Sequence, residues 1–405
     1  MTQSNRSYDF VIAGAGILGL TAAYELKKRL PSASIAVLEK ENRPGMHASG
    51  RNSGVLHSGI YYASDSLKAR VCATGAARMR EFAAEHDILC KRAGTVIIAT
   101  SEENLPTIDR LLRNARDNNI RAERLDEKGV KEIEPHANPY KAGIYSPDTS
   151  VIDSLSVVNK LYDLLTRDGV DVLFNRNIVK VQPDDNCVWT QDGKYSFGYF
   201  ISCAGANADI IAHQFGLGKN YAILPFKGTY YKLRAQAHRL VKSSIYPVPD
   251  ISLPFLGIHL TRVISGDIYV GPTAIPAFGR ENYGTLKGVK LGEGVKIGWR
   301  MAMMYLRNNQ NFRGLVHTEV KKYHKAQFLS ETRKLVPSVT ADDLIPSSKV
   351  GIRPQLVNVR TLMLEMDYII EQTPNSIHVL NSISPAFTSS FTFAELLIGR
   401  IPKIS

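Results

Sequence analysis

The stretch Tyr8-Asp9-Phe10-Val11-Ile12-Ala13-Gly14-Ala15-Gly16-Ile17-Leu18-Gly19 decides the fold. Its first half is a short apolar run of the kind buried on both faces of a parallel sheet. Its second half fits G-x-G-x-x-G, and from Ile17 to Leu30 the apolar residues Leu18, Ala22, Leu26 and Leu30 recur at helical intervals until Pro31 ends them. Ser34 to Glu39 reads as a second strand, so the chain opens with a β-α-β unit. In such a unit Gly14 permits the tight turn, Gly16 lets backbone N–H groups approach a pyrophosphate, and Gly19 lets the helix pack closely on the sheet. Glu39 stands twenty residues past Gly19, at the strand end where an acid accepts hydrogen bonds from ribose hydroxyls. A turn chosen for geometry alone gives no reason for that acid. The unit is a dinucleotide site, although the motif does not distinguish FAD from NAD.

Outward from it, Ser154 to Arg167 is an amphipathic helix with Leu161, Leu164 and Leu165 on one side, followed by Gly169 and a strand from Val170 to Phe174. Asn177 to Val181, Asn186 to Thr190 and Tyr195 to Cys203 have the rhythm of a β-meander closing on Ala204-Gly205-Ala206. Between Ile223 and Ser265, short β-rich runs separated by Pro225, Pro247, Pro249 and Pro254 predict a largely antiparallel second domain. Gly284 to Lys334 then turns helical and basic, with eleven Lys or Arg against three Glu.

At 405 residues and 44% hydrophobic content the chain is long enough for two cores. Met1 to Asp9 is polar and no run of eighteen apolar residues occurs, so a signal peptide or membrane span is not expected and a cytosolic protein is the default. Cys72, Cys90, Cys187 and Cys203 show no C-x-x-C spacing and read as buried small hydrophobes, with no metal site expected. A net charge of +12 implies an anionic partner. Nucleic acid is the poorer choice, because the basic residues lack interleaved aromatics and no helix-turn-helix or zinc pattern occurs.

The segment Gly50-Arg-Asn52-Ser53-Gly54-Val-Leu-His57-Ser-Gly-Ile-Tyr61-Tyr62, followed by Ser66-Leu-Lys68-Ala69, resembles the flavin-proximal region of the L-2-hydroxyglutarate dehydrogenase and oxidase group within the D-amino-acid oxidase superfamily. The likeness recurs at Pro225-Phe-Lys227-Gly228, Tyr246-Pro-Val-Pro-Asp250, Pro254-Phe-Leu-Gly-Ile-His259-Leu-Thr-Arg262, Gly271-Pro-Thr-Ala274, Gly351-Ile-Arg353-Pro-Gln355 and Ser384-Pro385-Ala386-Phe-Thr388-Ser389. It departs from the family's usual pattern at Lys227, at Pro354 and in the loop Asn381 to Ser389. The resemblance implies an α/β fold with an α+β second domain: a Rossmann-like FAD-binding domain from pieces 1–85, 147–212 and 346–405, and an antiparallel-sheet substrate domain from 86–146 and 213–345. It also implies non-covalent FAD contacted by Gly14, Gly16, Ile17, Leu18, Gly19, Glu39, Lys40, Asn52, Ser53 and Gly54. Val179 would lie near adenine, Ala204 and Gly205 near the dinucleotide, and Ser384, Pro385, Ala386, Thr388 and Ser389 under the pyrimidine edge, in a loop leading into a final helix from Phe391 to Ile401.

Oxidation of a small 2-hydroxy acid needs a cation for the carboxylate, a base for the hydroxyl proton and a flavin N5 to accept the hydride. Arg353 suits the carboxylate through its rigid donor fork. His57 and His259 are the candidate bases, since imidazole titrates near working pH. Tyr61, Tyr62 and Lys227 are candidates for binding carboxylates or shaping the flavin face, and Arg262 or Lys227 for the far end of a five-carbon diacid. An amino acid or amine substrate on the same fold stays open. So does the electron acceptor, whether oxygen, a quinone or a carrier protein. The Trp299 to Arg307 stretch suggests peripheral contact with an anionic membrane, such as an inner membrane.

Overall fold

The structure is a computed structural model that describes residues 4–250 and 255–402. Pro254, one of the prolines read as separating strands, lies outside the described residues. The opening strand Ser4–Ala13 takes the middle of an eight-stranded sheet because Phe10, Val11, Ile12 and Ala13 are apolar in succession and buried on both of its faces. It runs parallel to Ile35–Leu38 on one side and to Gly193–Ser202 on the other. Asp171–Leu173 and Ser376–Asn381 extend the parallel order outward. The carboxyl ends of these strands therefore share one edge, where an open α/β sheet binds its ligand. The helix Ile17–Arg29 packs under the sheet with Leu67–Glu85 and Ala386–Ile398, burying Leu20, Leu26, Met79, Phe391 and Leu397 in one cluster.

The meander forms as read, with Lys180–Gln182 and Cys187–Trp189 laid antiparallel onto the first half of Gly193–Ser202. The helix Ser154–Arg167 also forms as read, capped by Asp153, whose carboxylate accepts the N–H groups of Leu155 and Ser156.

A second, ten-stranded sheet covers the ligand edge of the first. Its spine is the pairing of Tyr221–Leu233 with Leu344–Asn358, which sets Phe226 opposite Arg353 and Gly228 opposite Gly351. Ile268–Gly271, His259–Arg262 and Ser244–Pro247 follow in order, and Thr95–Ile98 and Ala142–Ser146 extend the sheet from the earlier part of the chain. One face is sealed by the helix Lys325–Leu335 through Phe328 and Leu335. Elsewhere the helices Leu291–Arg307 and Phe312–Lys321 bury Ile297, Met301, Met304, Phe312 and Leu315 against Leu224 and Phe226.

Three expectations need correction. The boundary at 346 cuts the strand Leu344–Asn358, which belongs to the second sheet, so the chain returns to the first sheet only with Ile369–Thr373. The final helix is Ala386–Ile398 and not Phe391 to Ile401. Its first turns carry Thr388, Ser389 and Ser390, poor helix formers in isolation, yet all three are buried and Ser389 Oγ donates back to Pro385 O at 3.1 Å. The cysteines are all free, but only Cys72 and Cys187 are buried; Cys90 and Cys203 are partly exposed.

Phe393 is 1% exposed and packs on Tyr368 with ring centroids 4.8 Å apart. Phe393→Ala is expected to remove about 3–5 kcal/mol of stability through lost burial and the cavity left behind. A thermal midpoint within one degree of the parent would contradict this packing.

Candidate active site

The glycine-rich turn works through close approach. Gly14 has φ +99°, and a Cβ there would lie 2.7 Å from Cys203 O, while a Cβ on Gly19 would strike the carbonyl oxygen of Gly14. The turn is thus pressed between its own helix and the end of Gly193–Ser202, beside Ala204 and Gly205. Gly16 gives the first helix no side-chain cap, which leaves first-turn N–H groups for an anion. Ile17 is an exception: its N–H donates to Ser49 Oγ at 2.9 Å, and Leu18 and Gly19 follow it into the core. Ser49 was missed in the sequence, although it lies three residues before Asn52.

Glu39 is buried, with Oε2 accepting from Ala15 N–H at 2.7 Å and Oε1 from Glu41 N–H at 3.0 Å. Both oxygens retain lone pairs for ribose hydroxyls. Asn52 shapes the next loop, donating to Ser49 O at 2.6 Å and accepting from Gly54 N–H at 2.8 Å, with Ser53 between. Val179 is 53% exposed and its N–H is engaged by Trp189 O, so its side chain and carbonyl are what it can offer adenine. Ser384 hydrogen-bonds Tyr62, Thr388 Oγ1 accepts His57 N–H at 3.2 Å, and Ser389 Oγ meets Tyr368 Oη at 2.9 Å. Pro385 and Ala386 open the final helix, so this group begins a helix where a loop was expected.

Lys40 does not face open space. Its ammonium bonds Glu41, His47 and Glu281, so the one Glu/His group of metal-ligating type among the described residues already holds a cation. Glu281 belongs to a loop from the second sheet that grips the first on both sides of the glycine turn. Tyr283 Oη lies 2.7 Å from His47 Nδ1, and Arg51 stacks over the Tyr283 ring at 4.1 Å. Arg280 forks onto Asp209 at 2.5 and 2.9 Å and also bonds Glu293 and the Ala206 carbonyl. No local pattern announces pairs that stand 71 to 241 residues apart.

On the other side, the second sheet brings His259 and Arg353 to His57. Arg353 Nη1 is buried without a hydrogen-bond partner among the described residues, and burial lowers the guanidinium from its ordinary range. Its carbon lies 5.5 Å from the Phe255 ring. Burial and then the charge of Arg353 push the His57 imidazole down to about 4. Burial foremost, with Arg353 and His57 adding to it, pushes His259 down to about 3. His259 Nδ1 sits 2.8 Å from Gly257 O, which can only accept. Nδ1 therefore carries the proton, and Nε2 presents a lone pair.

Tyr61 lines a small cavity with His57, Thr95, Ser146 and Tyr246, whereas Tyr62 turns to Ser384 and lies 5.5 Å from Lys68 Nζ. Two expected substrate ligands are spent elsewhere. Arg262 donates to Gly266 O, His238 O and Val241 O, closing a hairpin end, and Lys227 Nζ donates to Gly284 O at 2.6 Å. The family-like motifs and the need for a second cation suggested both residues, but strand alternation and twist turn both side chains to these carbonyls.

A family model described as FAD dependent oxidoreductase matches residues 9–400. The chain belongs to this family. The resemblance read from the sequence holds along its length: L-2-hydroxyglutarate dehydrogenase of Escherichia coli (strain K12) is 32% identical, covering 98% of this chain and 94% of that protein. The protein of the same name from Indibacter alkaliphilus is 34% identical, covering 95% and 96%. Among solved structures, L-alpha-glycerophosphate oxidase from Mycoplasma pneumoniae with FAD bound superposes with a TM-score of 0.78 at 20% identity, covering 98% of this chain and 95% of that one, and shares the fold. The residues present fit FAD: the glycine cradle admits no Cβ, the first helix lacks a cap of its own, and the Glu39 carboxylate closes the groove.

The two histidines set an acid limit on stability. Both folded-state values lie below the ordinary imidazole value of about 6.5, so the unfolded chain takes up protons first as pH falls. The contribution is complete above pH 6.5 and is lost as pH falls through about 4 for His57 and about 3 for His259. Thermal midpoints measured between pH 7 and 4 are expected to decline, with a shallower slope in His57→Gln and His259→Gln. An unchanged slope in both variants would contradict burial of these groups.

Proposed function

We propose that this enzyme oxidises L-2-hydroxyglutarate to 2-oxoglutarate, with Arg353 holding the 2-carboxylate and His259 Nε2 taking the hydroxyl proton. The observation that carries the reading is a buried guanidinium with an unpartnered Nη1 facing two neutral imidazoles. A desolvated cation of that kind is stabilised by an anion able to accept two donors, as a carboxylate does. FAD, when bound, accepts the two electrons of the oxidation. His57, on the flavin-proximal loop, adds a second neutral ring beside the hydroxyl, and the Gly257 carbonyl steadies the cation that His259 becomes. The names of the relatives support the substrate.

An amino acid or amine substrate is disfavoured by the charges around Arg353. The carboxylate that acts on it, Glu319, is already engaged by the Lys322 ammonium and by the N–H of Ala274, leaving an incoming ammonium group no free anion among the described residues that act on Arg353.

For the acceptor we infer a lipid-soluble quinone, reached from a bilayer on which the helix Leu291–Arg307 lies. That helix has two apolar faces. Ile297, Met301 and Met304 are buried, while Leu291, Val295, Trp299 and Leu306, exposed by 85, 64, 70 and 64%, line an outward arc beside Lys296 and Arg307. An apolar arc with Trp and flanking cations suits an anionic interface, and a second copy would bring like charges together. No helix among the described residues is long and apolar enough to cross a membrane.

Two measurements test these roles. Anaerobic addition of L-2-hydroxyglutarate is expected to bleach the flavin, and Arg353→Met to raise the concentration required about 10- to 100-fold, as loss of a charge-assisted bond implies. Bleaching by an amino acid and not by the hydroxy acid would overturn the substrate. The protein is expected to sediment with phosphatidylglycerol vesicles and not with phosphatidylcholine ones, and Trp299→Glu/Leu306→Glu to stay in the supernatant. Equal sedimentation of parent and variant would exclude this face.

A further inference from the structure

We propose that Lys349 is the cation that receives the distal carboxylate of the substrate and so selects diacids over monoacids. This rests on the reading of the substrate as a 2-hydroxy diacid. Arg353 answers one carboxylate, and a second carboxylate in the same desolvated space needs its own partner. Other cations near the site are engaged: Lys227 and Arg262 by carbonyls, and Lys322 by Glu319.

Lys349 differs from all of these. It lies on the same strand as Arg353, four residues before it and inside the irregularity at which Thr229 pairs with Val350 but Tyr231 with Pro346. Gly351, between them, shows what the strand passes: a Cβ there would lie 3.2 Å from Arg51 O, and Arg51 also reaches Val350 O, so the strand runs over the flavin-proximal loop.

Tyr230 marks the space between the two cations. Lys349 Nζ lies 5.9 Å from its ring centroid and 4.8 Å from that of Tyr269, while the charge of Arg353 acts on the Tyr230 phenol. The two rings hold the ammonium in place without neutralising it. Burial alone lowers the Lys349 ammonium from the lysine range, with no carboxylate to raise it. A monoacid of the same length leaves this cation unanswered, whereas the diacid pairs it.

The test compares L-2-hydroxyglutarate with L-2-hydroxypentanoate, which differs only at the distal end, on the flavin-loaded enzyme. The ratio of kcat/KM values is expected to fall about tenfold or more in Lys349→Gln and to be largely retained in Lys349→Arg. An unchanged ratio in Lys349→Gln overturns the proposal. A second measurement uses the unmodified protein and does not depend on a variant folding: reductive methylation of Lys349, read by peptide mass spectrometry, is expected to be slowed by glutarate and not by pentanoate. Equal methylation with both overturns the proposal. Failure of the substrate reading is separately visible, as a parent enzyme whose flavin L-2-hydroxyglutarate does not bleach.

Discussion

A guanidinium with no ion-pair partner among the described residues, buried where two sheets meet, is the constraint around which the rest of this structure is arranged. Desolvating a cation is unfavourable by several kcal/mol unless something answers it, and among the described residues Arg353 sits by the Phe255 ring and by two imidazoles that burial foremost, and its own charge second, keep neutral. Long hydrogen-bonded pairing is what tolerates that arrangement. The ladder between Tyr221–Leu233 and Leu344–Asn358 fixes the Arg353 backbone opposite Phe226, and the apolar cluster behind Phe226 keeps the strand from relaxing outward.

The same ladder couples the two halves of the molecule. Ile223 and Leu356, paired across it, are buried with Leu380 of the nucleotide-side sheet and with Ala208 and Ala212 of the short helix beside it. On the other flank, Arg280 and Glu281 tie a loop of the second sheet to Asp209 and Lys40, on either side of the glycine turn. Position of the substrate groups and closure of the cofactor groove therefore depend on one interface. A buried ion pair such as Arg280 with Asp209 is weak evidence for stability, because desolvation offsets much of the attraction, but it specifies register well when both forks are satisfied.

The chemistry follows from low polarity. Two imidazoles held neutral at ordinary pH are available as lone-pair acceptors, and the Gly257 carbonyl settles which nitrogen of His259 accepts. Ser58, Ser146 and Thr149, which line a small cavity with His57, supply polarity without charge, so that histidine is desolvated but not isolated.

By itself the sequence determined whatever depends on near neighbours. The turn Gly14 to Gly19, the acid at Glu39, the helix Ser154–Arg167 and the meander into Gly193–Ser202 were legible because turn chemistry, periodicity and caps act over a few residues. Family likeness then named His57, His259 and Arg353 without placing them. Only the tertiary structure decided which side chains meet. It sent Arg262 and Lys227 to backbone carbonyls, drew Lys40 into an ion-paired group with Glu281, and began the last helix at Ala386, where buried hydroxyls outweigh poor propensity. Strand alternation, sheet twist and contacts between distant segments set those outcomes, and none of them leaves a mark on a local stretch of sequence.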